Sequence, residues 1–385
     1  MVLSVNILKI LLLAALVVVL LFGGHYFLFY SAVSFLGLTK PVSQAVLLGI
    51  LAFLSVGFIL ASILAHQREG LITRSLYVFF ASWLGIYYYL FIGSACLWLI
   101  KLLGRAAGFN WSAKLSSNAF MAMVWLAVLL FAIGVVNAFS PRLKKITVKI
   151  SNLPAVWRGK TIIQLSDIHL GHVHRSGFLE RVVKRVNRLD HELVLITGDL
   201  FDGLDGSLEE FVKPLNDLKT LQGIFFVSGN HEVYLGLQRS LKVVKETKIK
   251  ILDNQAVVIN GLQLAGLPYE EFKLPTKKSR PAGAGEDILD SLVNFQPGLP
   301  TVLLKHLPTK LKNLGRTGVN LVLCGHTHVG QLWPLGLITY LVFRSYHFGL
   351  TVKDNFTVYT SSGVGTWGPP SRLGNRPEIV AITLQ

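Results

Sequence analysis

Four apolar runs near the start of the chain constrain its fold more than any other feature. They lie approximately at residues 8–36, 43–65, 75–103 and 118–140. Each is long enough to supply the roughly 20 helical residues that cross a bilayer. Polar breaks separate them: LTKP (38–41), HQREG (66–70) and GRAAGFNWSAKLSS (104–117). The run ILLLAALVVVLLF (10–22) has the length of a signal-peptide core. It lacks a small-residue cleavage site and three further spans follow, so it reads as an uncleaved anchor.

Charge divides the chain in the same place. Residues 1–145 carry ten Lys/Arg and one acidic residue, Glu69, whereas the remainder carries 27 basic and 20 acidic residues, an ordinary soluble mix. The mean hydropathy of +0.53 over 385 residues therefore reflects a membrane region, 1–140, joined to a globular region. Ionisable residues inside the spans are sparse: Lys9 and Lys101 near span ends, and His25, with Asn137 as a polar neighbour. A transport pathway needs more than that, so the spans read as an anchor. Tyr87, Tyr88, Tyr89, Trp98, Trp111 and Trp125 suit either interfacial belts or plain packing. The two cysteines, Cys96 and Cys324, read as buried small residues rather than a disulfide framework.

After a basic linker at 141–160, the region 161–385 alternates β-rich and helical runs, which predicts a layered α/β domain. Strands are expected at 161–166, 193–197, 224–228, 262–266, 301–305, 321–324, 356–361 and 378–384, and helices near 177–188, 207–219, 237–247 and 286–295.

Polar chemistry gathers where these strands end. QLSDIHLG places Asp167 and His169 after one strand, and LITGDLFDG places Asp199 and Asp202 after the next. FVSGNHE supplies Asn230, His231 and Glu232; LLKHLP supplies His306; LCGHTH supplies His326 and His328. Three of these sets follow a glycine, which permits a tight turn and close backbone approach. Open α/β sheets bind ligands outside such strand ends. A donor set of carboxylate, amide and imidazole, without thiolate, suits Mn, Fe, Zn, Co or Ni. Its size exceeds what one four-coordinate ion uses, which points to two ions sharing a carboxylate. Paired ions about 3.5–4 Å apart activate a water and clamp phosphoryl oxygens.

In this order, D-x-H, G-D-x-x-D, G-N-H-E, a lone His and G-H-T-H resemble the calcineurin-like metallophosphoesterases. The resemblance covers about 147–385. The anchor, the GHTHVGQ variant and the closing SSGVGTWGPPSRLGNRPEIVAITL resemble the membrane-linked bacterial branch of YkuE/YaeI-type phosphodiesterases. It implies a four-layer αββα sandwich binding two divalent metal ions, Mn first with Fe or Zn as alternatives. One ion would take Asp167, His169, Asp199 and His328, and the other Asp199, Asn230, His306 and His326. His231 would protonate the leaving alkoxide, and Asp202, by analogy with related protein phosphatases, would pair with His231.

The function expected is a metal-dependent phosphoric-ester hydrolase, a phosphodiesterase acting at the membrane surface on a phosphodiester substrate such as a lipid-linked one. The alternatives are a scaffold with a vestigial metal site and a nucleotide or nucleic-acid phosphodiesterase. A vestigial site loses ligands, and none is missing here. The globular region has no dense basic run, so no nucleic acid is expected as partner, and no obligate protein partner is inferred. His172, His174, His191, His347 and His66 carry no motif; the first two read as solvated loop residues. The basic residues on the side of the termini, Lys9, Arg68, Arg74, Arg142, Lys144 and Lys145, outnumber Lys40, Lys101, Arg105 and Lys114 opposite, which predicts a multi-pass cell-membrane protein with a cytoplasmic catalytic domain.

The apolar run QLWPLGLITYLVF (331–343) has two readings. Leu337–Phe343 alone suits a buried strand. Its start so soon after His328 suits instead a rim of Leu332, Trp333, Leu335 and Leu337 that touches the membrane and presents the metals to lipid phosphodiesters.

Overall fold

A computed structural model describes residues 18–67, 70–203, 208–269, 292–311, 317–353 and 356–385, with Ala15, Leu289 and Leu314 in addition. The start of the first expected span and half of the expected helix 286–295 lie outside these residues. The chain divides into two compact units, Met1–Gly134 and Val135–Gln385.

The first unit is helical. It holds α1 (Gly24–Leu36, preceded by a π-helical turn Val19–Gly23), α2 (Pro41–Gln67), α3 (Leu71–Ala106) and most of α4 (Ala113–Ala138), whose last turn from Val135 belongs to the second unit. All four are long and apolar enough to cross a membrane. Aromatic packing joins them: Phe35 lies 5.0 Å from Trp98 and 5.9 Å from Phe120, centroid to centroid. His25 is buried and satisfied. Its Nδ1 donates to the Leu21 carbonyl (2.7 Å), its Nε2 accepts from Trp83 Nε1 (3.0 Å), and its ring stacks on Tyr87. Among the described residues these are the contacts of a packing residue.

The second unit is built of β1 (Arg142–Val148), β2 (Thr161–Leu165), α5 (Ser176–Val186), β3 (Leu193–Thr197), α6 (Leu208–Val212), β4 (Gly223–Val227), α7 (Asn230–Leu235), α8 (Leu237–Lys245) and β5 (Lys250–Ile251). It continues with β6 (Gln255–Ile259), β7 (Leu262–Leu267), β8 (Thr301–Lys305), β9 (Val319–Cys324), α9 (Gly336–Phe343), β10 (Gly349–Lys353), β11 (Phe356–Thr360) and β12 (Glu378–Leu384). They form two six-stranded sheets, β1-β12-β2-β3-β4-β5 and β10-β11-β9-β8-β7-β6. Each sheet has a parallel centre, β2-β3-β4 in one and β7-β8-β9-β11 in the other.

Strand side chains alternate between faces, and here both faces are covered, so the central strands read as unbroken apolar runs. In β3, Leu193 and Leu195 enter the core between the sheets, against Leu264, Leu304 and Leu323, while Val194 and Ile196 face α5, α6 and α8. The outer face of the second sheet is covered by Leu289, Leu292, Leu311 and Leu314. The chain is thus four apolar helices followed by layered α/β sheets, as expected.

Three expectations change. The segment 141–160 contains β1, which pairs in parallel with β12 along its whole length. Four cations in eight residues hid it, but Leu143 and Ile146 pack against the two cores and Val148 is buried. Lysines on such an edge strand discourage pairing with other chains. Arg142 also lies 3.6 Å from the buried Glu378. The helix expected at 207–219 is broken into α6 and a 3-10 turn, Lys213–Asp217, because Pro214 has no N–H for an α-helical bond. Leu337–Phe343 is not a buried strand; with Gly336 it forms α9, none of whose residues is buried.

Leu195 is wholly enclosed between the sheets. Leu195→Ala is expected to cost about 2–5 kcal/mol, read as a lowered unfolding temperature of the detergent-solubilised protein.

Candidate metal centre

The parallel strands of both sheets end at one place. Thr197 at the end of β3 is the register partner of Val227 in β4, which puts Asp199 and Asn230 side by side. Leu304 of β8 partners Leu323 of β9, which does the same for His306 and His326. The two sheets are tied across this edge by His306 Nδ1, which donates to the Thr197 carbonyl at 2.8 Å, and by Gln164 Nε2, which donates to the Cys324 carbonyl at 2.8 Å. A Cβ on Gly325 would collide with Ser166 Oγ and the Asp167 carboxylate, and one on Gly229 with the Asp199 carboxylate. Those two glycines are required by space.

The seven expected ligands converge. Donor atoms of Asp167, His169 and His328 lie within 4.8 Å of one another, and so do those of Asp199, His306 and His326. His328 Nε2 is 3.3 Å from Asp167 Oδ1, and His306 Nε2 is 3.0 Å from Asp199 Oδ2. Asn230 Oδ1 sits 3.1 Å from His306 Nε2 and 2.9 Å from His326 Nδ1. Asp199 Oδ2 is also 3.9 Å from His169 Nε2, which sets this carboxylate between the two groups. The backbone bends sharply to achieve this. Asp167, His169, Asp199, His326 and His328 all have φ between 46° and 73°, the left-handed region. Such residues cost on the order of 1–3 kcal/mol each unless the surroundings over-determine them.

Charge supports a cation here. Burial by itself would push the Asp167 and Asp199 carboxyls up, but the surrounding imidazoles hold both well below the usual carboxylate range. Burial drives His169 and His328 down to about 3 and His326 to about 4, which keeps their lone pairs available. His306 goes the other way, to about 10: burial opposes its charge, but Asp199 outweighs it. Two buried anions thus recruit positive charge, and neutral imidazole with carboxylate is the form in which these groups bind divalent metal. The residues fit such ions.

Asp202 is placed differently from the expectation. His231 Nδ1 donates to the backbone carbonyl of Asp202 at 2.8 Å, whereas the Asp202 carboxylate lies 3.5 Å from Nδ1 of His169. The reason is the turn after Asp199, which carries the Asp202 carbonyl toward His231 and its side chain beneath His169. The carboxylate is therefore a neighbour of His169 rather than of His231. His172 and His174 are buried, not solvated; His174 Nε2 is 2.9 Å from Thr366 Oγ1. Of the expected rim, Trp333 is 61% exposed and Leu335 half-buried, but Leu332 is buried, because its backbone bridges to Leu373.

Two supporting residues carried no separate signal in the sequence. Glu232 is fully buried and accepts backbone N–H groups from Asp199, Leu200, Phe201 and Gly229, between 2.6 and 3.2 Å. It belongs to the G-N-H-E motif, which was the available clue. Arg372 is likewise buried; it donates to the carbonyls of His328 (2.8 Å), Gly365 (2.9 Å) and Ser362 and to Asn375 Oδ1. Asn137, a residue considered above as an intramembrane polar group, donates to the Arg372 carbonyl at 3.1 Å.

Because the Asp202 carboxylate faces a ligand, Asp202→Asn is expected to weaken metal binding about 10–100-fold, read by metal titration. A fall in kcat with full metal affinity would return the carboxylate to His231.

A family model, calcineurin-like phosphoesterase, matches residues 160–330. A metallophosphoesterase of Helicobacter pylori (strain ATCC 700392 / 26695) is 36% identical over 225 residues, 58% of this chain and 59% of that protein. The chain therefore spans about three-fifths of that relative's length. A transmembrane protein with metallophosphoesterase domain of Danio rerio is 31% identical over 324 residues, 79% of this chain and 72% of that protein. The metallophosphoesterase YkuE of Bacillus subtilis (strain 168) is 26% identical over 263 residues, 62% and 84% of the two chains. With motifs, fold and relatives in agreement, the chain belongs to the calcineurin-like phosphoesterase family.

Proposed function

We propose that this protein is a membrane-anchored, metal-dependent phosphodiesterase. One observation carries the reading: two sets of buried donors meet at the strand ends with Asp199 between them. Asp167, His169 and His328 would hold one divalent ion, and Asn230, His306 and His326 the other. Oxygen and imidazole without thiolate suit Mn, with Fe or Zn as alternatives. Such ions, when bound, supply a nucleophilic water near neutral pH and neutralise phosphoryl oxygens.

The chain's own groups do the rest. His231 N–H donates to Asp199 Oδ1 at 2.9 Å, so the backbone helps hold the central carboxylate. With its Nδ1 proton on the Asp202 carbonyl, the His231 ring is fixed in one orientation and Nε2 is left to exchange a proton. Water adds to phosphorus, the P–O bond to the leaving group breaks, and His231 Nε2 protonates the departing alkoxide. The water's proton restores the imidazolium. The cleft above the site, about 530 Å³, is lined by His231, Asn230, His326 and Tyr234 and has room for an ester with two substituents.

In this reading the domain is cytoplasmic, which the excess of cations on the side of the termini supports. A reporter fused after Gln385 that is active only outside the cell would reverse that.

Chelator-stripped protein resupplied with Mn²⁺ is expected to cleave bis-p-nitrophenyl phosphate. Asp199→Asn should lose metal and activity together. His231→Gln should lower kcat about 10²–10⁴-fold with metal content unchanged. Full activity in Asp199→Asn would refute the paired-ion reading.

A further inference from the structure

Helix α9 is apolar all round and yet has no buried residue. A helix of that kind belongs either in a protein core or in a membrane. Leu337 is 67% exposed, Leu341 60% and Val342 60%, and Trp333 stands exposed just before the helix. The patch continues onto the edge strand β10, where Leu350 and Val352 are exposed on one face. No Asp or Glu occurs from Thr327 to Lys353, while Arg344 and Lys353 flank the apolar surface as exposed cations. Among the described residues of this stretch the charges beside the apolar face are cationic, which matches the headgroup and acyl boundary of an anionic leaflet.

The helix is fixed to the metal centre. Thr327, between the two imidazoles, donates to the His347 carbonyl at 2.7 Å, just beyond α9. Gln331 donates its amide to the Trp367 and Pro369 carbonyls at 2.9 and 3.0 Å, which holds the exposed Trp367 at the cleft. Leu335, Ile338 and Trp367 line the cleft opposite Asp199 and His231. The cleft therefore has a polar floor and an apolar lip. Only residues 139–141 separate the end of the fourth apolar helix from β1, a chain length of about 10 Å at most.

Resting on the hydrolase reading, we propose that α9 with Trp333 lies in the membrane leaflet and sets the cleft at headgroup level, so that the phosphoester cleaved is that of a lipid. The floor receives the phosphate and the lip receives the apolar part of the same molecule.

The full chain, with Cys96→Ala and a nitroxide on Leu341→Cys, is reconstituted into phosphatidylcholine vesicles containing phosphatidylglycerol. The label is expected to be relaxed strongly by oxygen and weakly by a water-soluble nickel chelate. Nickel accessibility equal to that of a label on Leu221→Cys, an exposed position far from the patch in sequence, overturns the docking. In the same vesicles, Leu341→Ser with Val342→Ser, neither of which lines the cleft, should lower headgroup release about tenfold or more and leave hydrolysis of bis-p-nitrophenyl phosphate within about twofold. Equal loss on both substrates, or cleavage of the aryl ester without any headgroup release, overturns the lipid substrate. A label in the leaflet with neither substrate cleaved overturns the hydrolase reading and leaves the docking standing.

Discussion

Two carboxylates, Asp167 and Asp199, are buried at the seam where the strands of two different sheets end, and much of the second unit is arranged around that fact. Buried anions are costly unless compensated, and here the compensation is imidazole from both sheets. His169 comes from the first sheet's edge, His306, His326 and His328 from the second's. The bond from His306 to the Thr197 carbonyl makes the seam continuous, because the same ring touches the backbone of one sheet and the carboxylate at its end. Neither sheet alone contains a complete donor set.

Holding those groups requires a backbone that few residues tolerate, and the chain fixes it with buried polar side chains. Glu232 gathers four N–H groups from two successive strand ends, and Arg372 gathers carbonyls from the turn after β9 and from the 362–365 loop. Each satisfies several groups that burial would otherwise leave unpaired. Glu232 is pushed up to about 7 by burial and by the nearby Asp199, whereas burial brings Arg372 down to about 10. Glu232 thus holds the backbone of the left-handed Asp199, and Arg372 that of the left-handed His328.

The segment after the last ligand has a different character. Between Gly330 and Lys353 the chain turns from the most enclosed part of the domain to its most apolar exposed surface, without an acidic residue. Thr327, between the two imidazoles, joins the two through the His347 carbonyl.

Strand ends were legible because they are local: an apolar run followed by glycine and a polar donor announces itself in any window of eight residues. The same holds for the four long helices, whose length and composition suffice. What was not legible depended on contacts between distant segments. β1 was hidden by its lysines, since only pairing with β12, over two hundred residues later, makes it a strand. The run 331–343 has no periodicity to separate strand from helix, so its conformation was left to the tertiary fold. Asp202 was visible as a carboxylate near two histidines, but which of them its side chain or its carbonyl reaches is set by the turn after β3. The sequence by itself determined which atoms could bind metal; only the packing of two sheets decided their partners, because hydrogen-bond geometry is fixed over a few ångströms and spacing along a chain is not.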